Sequence, residues 1–196
     1  ERPLVPRGRG PLAAAGVRSI LNFAPTVITL GATSCGGGPC GGTQVPAATY
    51  DFAQDDLYLL QRWNSGAGAL RLYRLSTPAL PAITPLGFPI GAAWADSEPS
   101  GSGLDFAPQG PSCGGMKIQT NDSRIQNVVW RNGTLWATHT VFLPSPTPNR
   151  ASVQWWQVQT NATVSQRGLV DEPGATRFYA FPSIAVNKND DVLVGF

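Results

Sequence analysis

Short runs of β-branched and aromatic residues recur along this chain, broken by Gly, Pro, Asn and Asp, while helical periodicity is nearly absent. Only Pro11–Leu21 carries helical spacing, through Leu12, Ala15 and Ser19. The pattern predicts strands at Ser19–Phe23, Thr26–Leu30, Leu57–Trp63, Ala69–Leu75 and Ile83–Phe88. After a Gly/Ser/Pro-rich stretch it predicts Ile125–Arg131, Thr134–Phe142, Ser152–Gln159, Thr163–Val170, Ser183–Asn187 and Val192–Phe196. Many short strands with almost no helix read as an all-β sandwich, barrel or propeller.

An internal repeat selects among these. Asp55-Asp-Leu-Tyr-Leu-Leu60, Asn132-Gly-Thr-Leu-Trp-Ala137 and Asn189-Asp-Asp-Val-Leu-Val194 each set a polar turn before an apolar strand, the last two offset by 57 positions (132 to 189). Tyr73-Arg-Leu-Ser-Thr77 likewise matches Trp156-Gln-Val-Gln-Thr160. The unit is a four-stranded antiparallel meander about as long as a propeller blade. The expected fold is therefore all-β: a partial β-propeller of about two and a half such blades over residues 45–196. One blade spans 45–90, a whole one Ile125–Val170, and the first half of another 178–196, with 91–120 as an insertion. Residues 31–44 form a Gly/Cys-rich loop, and 1–30 an N-terminal segment of uncertain origin. In it Leu4-Val-Pro-Arg-Gly8 resembles a protease-site linker. The final strand is read as cut short, which makes the chain a fragment. Its open sheet edges are expected to pair with another chain.

Composition narrows the partners. Only 13% of the 196 residues are charged, the formal net charge is +2, and no basic block or acidic tail stands out. Neither nucleic acid nor an anionic membrane surface is an expected partner. No apolar run reaches the roughly 18 residues of a spanning helix. With 22 Gly and 18 Pro the chain stays below the proportion at which disorder is the default, and hydrophobic residues at 42% supply a core. Sparse Lys, abundant Thr, Asn and Gln, and Gly-Pro loops suit an exported protein. In Cys35-Gly-Gly-Gly-Pro-Cys40 the two thiols are spaced for a small loop disulfide. Cys113 is left over. With one His, a zinc site lacks ligands. Sequons begin at Asn121, Asn132 and Asn161.

Two resemblances follow from particular residues. Asp56-Leu-Tyr-Leu-Leu-Gln61, Asn121-Asp-Ser-Arg-Ile-Gln-Asn-Val-Val-Trp130, Asn132-Gly-Thr-Leu-Trp136, Val153-Gln-Trp-Trp-Gln157 and Phe181-Pro-Ser-Ile-Ala-Val-Asn187 resemble secreted bacterial proteins with β-propeller, sialidase-like repeats and no settled activity. The resemblance implies a propeller architecture but carries no catalytic residue, because the aspartate-box pattern of sialidases is missing. Ala13–Val27 separately resembles a segment of the dinucleotide-binding domain of the redox-sensing repressor Rex. No Gly-x-Gly-x-x-Gly follows a strand and no helix-turn-helix pattern is present, so no cofactor is expected.

The candidate chemistry is modest. Trp130, Trp136, Trp155 and Trp156 either pack between blades or form an aromatic platform for a sugar ring. His139 lies mid-strand on the face of Ala137 and Val141, as a hydrogen-bonded structural residue or as a base. Asp171-Glu172 precedes Pro173-Gly174 between blades, where a rim site could form. The expected role is binding or scaffolding toward a glycan, a polymer or a protein. The alternative is a sialidase-like glycoside hydrolase whose active site is completed by further blades, which would need two suitably spaced carboxyls.

Overall fold

The computed structural model describes residues 43–51, 53–76, 82–98 and 106–196, with the backbone of two short strands before them. The chain divides after Gly31, and every described residue lies in the second unit, Ala32–Phe196. The expectations for residues 1–30, the Rex-like stretch included, fall outside the described residues. So do Cys40 and the side chain of Cys35, and with them the expected disulfide; Cys113 is free.

The described residues form an all-β structure of antiparallel sheets with one single-turn 3-10 helix, Pro111–Cys113. No helix among them is long and apolar enough to cross a membrane. In chain order the strands begin with β1 (Ser34–Cys35), β2 (Gly38–Pro39), β3 (Gln44–Pro46) and β4 (Ala48–Thr49). Next come β5 (Leu57–Asn64), β6 (Ala69–Ser76), β7 (Ala82–Gly87), β8 (Ala107–Pro108) and β9 (Lys117–Ile118). The remaining strands are β10 (Ile125–Arg131), β11 (Thr134–Leu143), β12 (Arg150–Gln159), β13 (Val164–Val170), β14 (Ser183–Val186) and β15 (Val192–Gly195).

Three sheets carry the architecture. The first is ordered β3-β5-β6-β7; the second, β13-β12-β11-β10-β4; the third is the hairpin β14-β15. All neighbours are antiparallel except β4, which leaves the first sheet and lies parallel along β10, pairing Ala48 with Val129 and Thr49 with Trp130. It thereby covers an edge of the second sheet that would otherwise be open.

Turn chemistry explains why these hairpins close where they do. Asn132 and Gly133 join β10 to β11 with φ of 47° and 81°, the positive values that a two-residue hairpin needs and that Asn and Gly tolerate. Between β5 and β6, Gly68 has φ 65°, and a Cβ there would meet the Gly91 carbonyl oxygen at 2.4 Å, so no side chain fits.

The second sheet is covered on both faces at β11, where every residue from Thr134 to Phe142 is buried and burial does not alternate. Tyr58, Leu60, Leu70 and Leu72 of the first sheet pack against Val128, Trp130, Leu135, Ala137, Trp156 and Val158 of the second. On the opposite face Val129 and Trp136 meet Ile184 and Val186 of the hairpin. Each buried aliphatic or aromatic side chain contributes roughly 1.5–3 kcal/mol.

Polar contacts tie the hairpin to the second sheet. Ile184 N–H donates to Asn127 Oδ1 at 2.9 Å, Arg131 Nε–H to the Asn187 carbonyl at 3.2 Å, and Asn132 Nδ2–H to the Lys188 carbonyl at 3.0 Å and to Asp190 Oδ1 at 2.9 Å. The segment read from sequence as the start of an insertion behaves otherwise. Residues 91–98 form a strap across the second sheet: Ala95 N–H donates to Phe142 O at 2.9 Å, Ser123 N–H to Asp96 O at 2.8 Å, and Trp94 is buried in the main core.

Candidate functional site

His139 sits in the middle of β11, opposite Gln154 of β12 and fully buried. Its Nδ1 lies 2.9 Å from the Ser123 carbonyl, and Trp156 Nε1–H donates to its Nε2 at 3.1 Å. A carbonyl only accepts and an indole only donates, so the ring is a neutral imidazole with its proton on Nδ1. Gln154 Oε1 lies 3.2 Å from Nε2; since Nε2 already accepts, the amide pairs there only with its N–H end turned inward. Desolvation lowers the pKa to about 4, the Arg62 charge adds to the lowering, and the Ser123 carbonyl pulls the other way. Trp94 meets the ring edge-on, 5.0 Å between centroids.

Behind Trp94 a polar chain continues. Trp94 Nε1–H donates to Ser123 Oγ at 3.0 Å, Ser123 Oγ–H donates to Asp96 Oδ1 at 2.7 Å, and Arg62 pairs with Asp96. Ser, His and Asp thus gather in one place, but not as a hydrolytic triad. The Ser123 hydroxyl addresses Asp96, His139 addresses only the Ser123 main chain, and both residues are shut off from solvent. The group orients the strap against the sheet and has no path to a substrate.

Asp171 and Glu172 follow β13, and neither is free. Arg150 Nε–H and Nη2–H each donate to Asp171 at 2.7 Å, one to each carboxylate oxygen, and Ser152 Oγ–H adds a bond of 2.5 Å. The Arg150 bond is the main cause that holds the Asp171 carboxyl below its ordinary range, against partial desolvation. Glu172 accepts from Thr176 N–H (2.7 Å), Thr176 Oγ1–H (2.9 Å), Gly174 N–H (3.1 Å) and Arg177 N–H (3.3 Å), which fixes the turn and lowers its pKa as well. A glycosidase acid needs a carboxyl shifted the other way.

The four tryptophans divide between the two faces of the second sheet. Trp130 and Trp156 belong to the core against the first sheet. Trp136 and Trp155 stack together on the hairpin side, with centroids 6.3 Å apart and planes at 27°. Trp136 is buried, whereas Trp155 is half-buried. The Trp155 indole lies flat on Gly168 of β13, where a Cβ would stand 2.3 Å from its Nε1. Beside the pair is a cleft of about 360 Å³ lined by Trp136, Trp155, Gln166, Asp190, Val192 and Val194. Trp136 Nε1 is buried and closed to a ligand, so the polar capacity of the cleft rests on two other lining residues. Gln166 spends an N–H on Gln157 Oε1, which leaves its own carbonyl oxygen, and Asp190 keeps one oxygen beyond the bond from Asn132. A larger groove, about 460 Å³ and mostly apolar, runs alongside between β10 and the hairpin.

Of the residues singled out from sequence, the structure brings Trp136 and Trp155 together in one cleft. Trp156 and His139 are bonded inside the core, and Asp171 and Glu172 stand in their own ion pair and turn. Gln166 and Asp190 also line the cleft, and no sequence signal marks them for it, because neither differs in type from the chain's many other polar turn and edge residues. Among the described residues, no group of three or more His, Cys, Asp and Glu side chains could hold a metal ion. Comparison of the chain with protein-family models, with curated proteins and with solved structures yields no match, so its sheets and their side chains alone carry the functional argument.

Proposed function

We propose that this chain is part of an exported β-propeller-type protein and serves as a binding module for a glycan, held on the Trp136–Trp155 pair. The observation that carries the ligand class is the cleft itself. A stacked aromatic pair offers a flat apolar wall to the C–H face of a sugar ring, while Gln166 and Asp190 offer hydrogen bonds to hydroxyls.

The propeller reading draws support from the sheets. Two four-stranded antiparallel meanders, β3-β5-β6-β7 and β10 to β13, are followed by a hairpin. The hydrogen bonds from the second to the third join residues 56 to 58 positions apart, matching the 57-position offset in the sequence. Export rests on the low charge and the Gly-Pro-rich composition.

Titration of the chain with neutral oligosaccharides of several linkages, followed by tryptophan fluorescence and calorimetry, tests the proposal. Saturable binding that Trp155→Ala weakens at least about tenfold is expected, each factor of ten being about 1.4 kcal/mol. Binding that Trp155→Ala leaves intact, or no response to any saccharide, overturns it. Turnover of a fluorogenic glycoside, abolished by Asp190→Asn, would replace binding with hydrolysis.

A further inference from the structure

We propose that Arg71 and the aromatic side chains around it form a second site, separate from the Trp136–Trp155 cleft, that takes the carboxylate of an acidic sugar. The class of ligand rests on the glycan reading above; the recognition of a carboxylate rests on Arg71 alone.

Strand alternation sets the position. Leu70 and Leu72 of β6 enter the core, so Arg71 between them projects from the opposite face of the first sheet. There its guanidinium carbon lies 4.3 Å from the centroid of a Trp63 ring, 4.9 Å from Tyr73 and 5.5 Å from Phe88. Neighbouring arginines are matched with acids: Arg62 pairs with Asp96, and Arg74 lies 3.8 Å from Asp56. Arg71 enters none of the ion pairs among the described residues; its Nε, like those of Arg62 and Arg74, is buried without a partner, so only its terminal N–H groups are left to meet a ligand.

Stacking explains why such a group is stable and what it is suited to. Guanidinium is weakly hydrated on its faces, so aromatic rings cover it at little cost and hold its plane still. The N–H edge is then a preset fork with two parallel donors, the complement of a planar carboxylate. Phe88 is 46% exposed and meets Trp63 at 5.7 Å, which continues the apolar ground beside the fork. A pyranose ring bearing a carboxylate uses both features. Inorganic phosphate can accept from the same fork, but it has no ring to lay on the apolar ground beside it.

The test compares trigalacturonate with neutral galactotriose by calorimetry at low salt, on the wild-type chain and on Arg71→Gln, Phe88→Ala and Trp155→Ala. Circular dichroism and the melting temperature of each variant establish that it folds. Trigalacturonate is expected to lose about tenfold or more in affinity with Arg71→Gln and less with Phe88→Ala, with neutral binding unchanged. Loss of that acidic preference in Arg71→Gln but not in Trp155→Ala supports the site even where no neutral saccharide binds. Neutral binding that depends on Trp155, with trigalacturonate indifferent to Arg71→Gln, overturns the site and leaves the first proposal standing. Displacement of trigalacturonate by equimolar inorganic phosphate, or by a peptide's terminal carboxylate, overturns the assignment to a sugar.

Discussion

Trp156 donates its indole N–H to His139 Nε2 at 3.1 Å, and this bond, made in the dry space between two sheets, fixes the histidine as neutral. Protonation would turn that acceptor into a second donor facing the indole. The folded-state pKa of about 4 lies below the ordinary 6.5, so the unfolded chain takes up a proton that the folded chain refuses. Stability is therefore complete above pH 6.5 and declines as pH falls toward 4, by about 3 kcal/mol across the window. Urea unfolding midpoints measured between pH 7.5 and 4 check this. The decline should flatten in His139→Gln, and an identical slope in that variant would refute the assignment to this residue.

Asp171 and Arg150 form a two-pronged ion pair with side chains only 14% and 11% exposed. Asp171→Asn leaves a poorly solvated guanidinium with one of its two bonds to residue 171 lost and no negative charge beside it. A loss of about 2 kcal/mol in unfolding free energy is expected, well above what an exposed pair yields. Its pKa is depressed, so the wild-type contribution persists at neutral pH and fades only as pH drops through the carboxylate range, below the histidine's window. Denaturant unfolding of Asp171→Asn and Ser152→Ala at pH 7 measures it.

Gly168 is where Trp155 lies against bare backbone, and Gly168→Ala inserts a methyl group at 2.3 Å from the indole nitrogen. Trp155 must swing outward, breaking its stack with Trp136. The expected result is destabilisation of about 1–3 kcal/mol, a red-shifted tryptophan emission and loss of saccharide binding. Unchanged emission together with unchanged binding would show that the pair is not seated as described.

Among the described strands β15 pairs only with β14, and along it Leu193 is 72% exposed, next to Val192 and near the exposed Phe196. An open strand edge with apolar side chains invites a further strand. Sedimentation across a concentration series is expected to show self-association, and Leu193→Lys, which places a charge on that strand, should suppress it. A monomer at all concentrations would count against a pairing-competent edge.

Much of the fold was legible because strands and turns have local causes. The expected Ile125–Arg131 coincides with β10, and Asn132-Gly133 closes the hairpin after it, since positive φ is a property of those two residues wherever they stand. Trp94 was not legible. It follows a Gly-Ala-Ala run with no periodicity, and only the approach of the strap to His139 and Ser123 makes it a core residue. Gly91 shows the same dependence: a Cβ there would meet the Trp156 ring at 2.6 Å, a contact across 65 positions that no local pattern announces.

By itself, then, the sequence determined the all-β character of the described residues, the positions of their longer strands and the hairpin turns, because alternation and backbone preference act over a few neighbouring residues. The tertiary structure alone decided which tryptophans face a cleft and which are core, that Asp171 and Glu172 are held as anions, and that Arg71 stands among aromatic rings with no acidic partner among the described residues. Those outcomes depend on which sheet lies against which face. A Trp on β12 reads the same in sequence whether the opposing surface is Leu72 or the solvent beside Asp190, and burial, not residue type, settles its role.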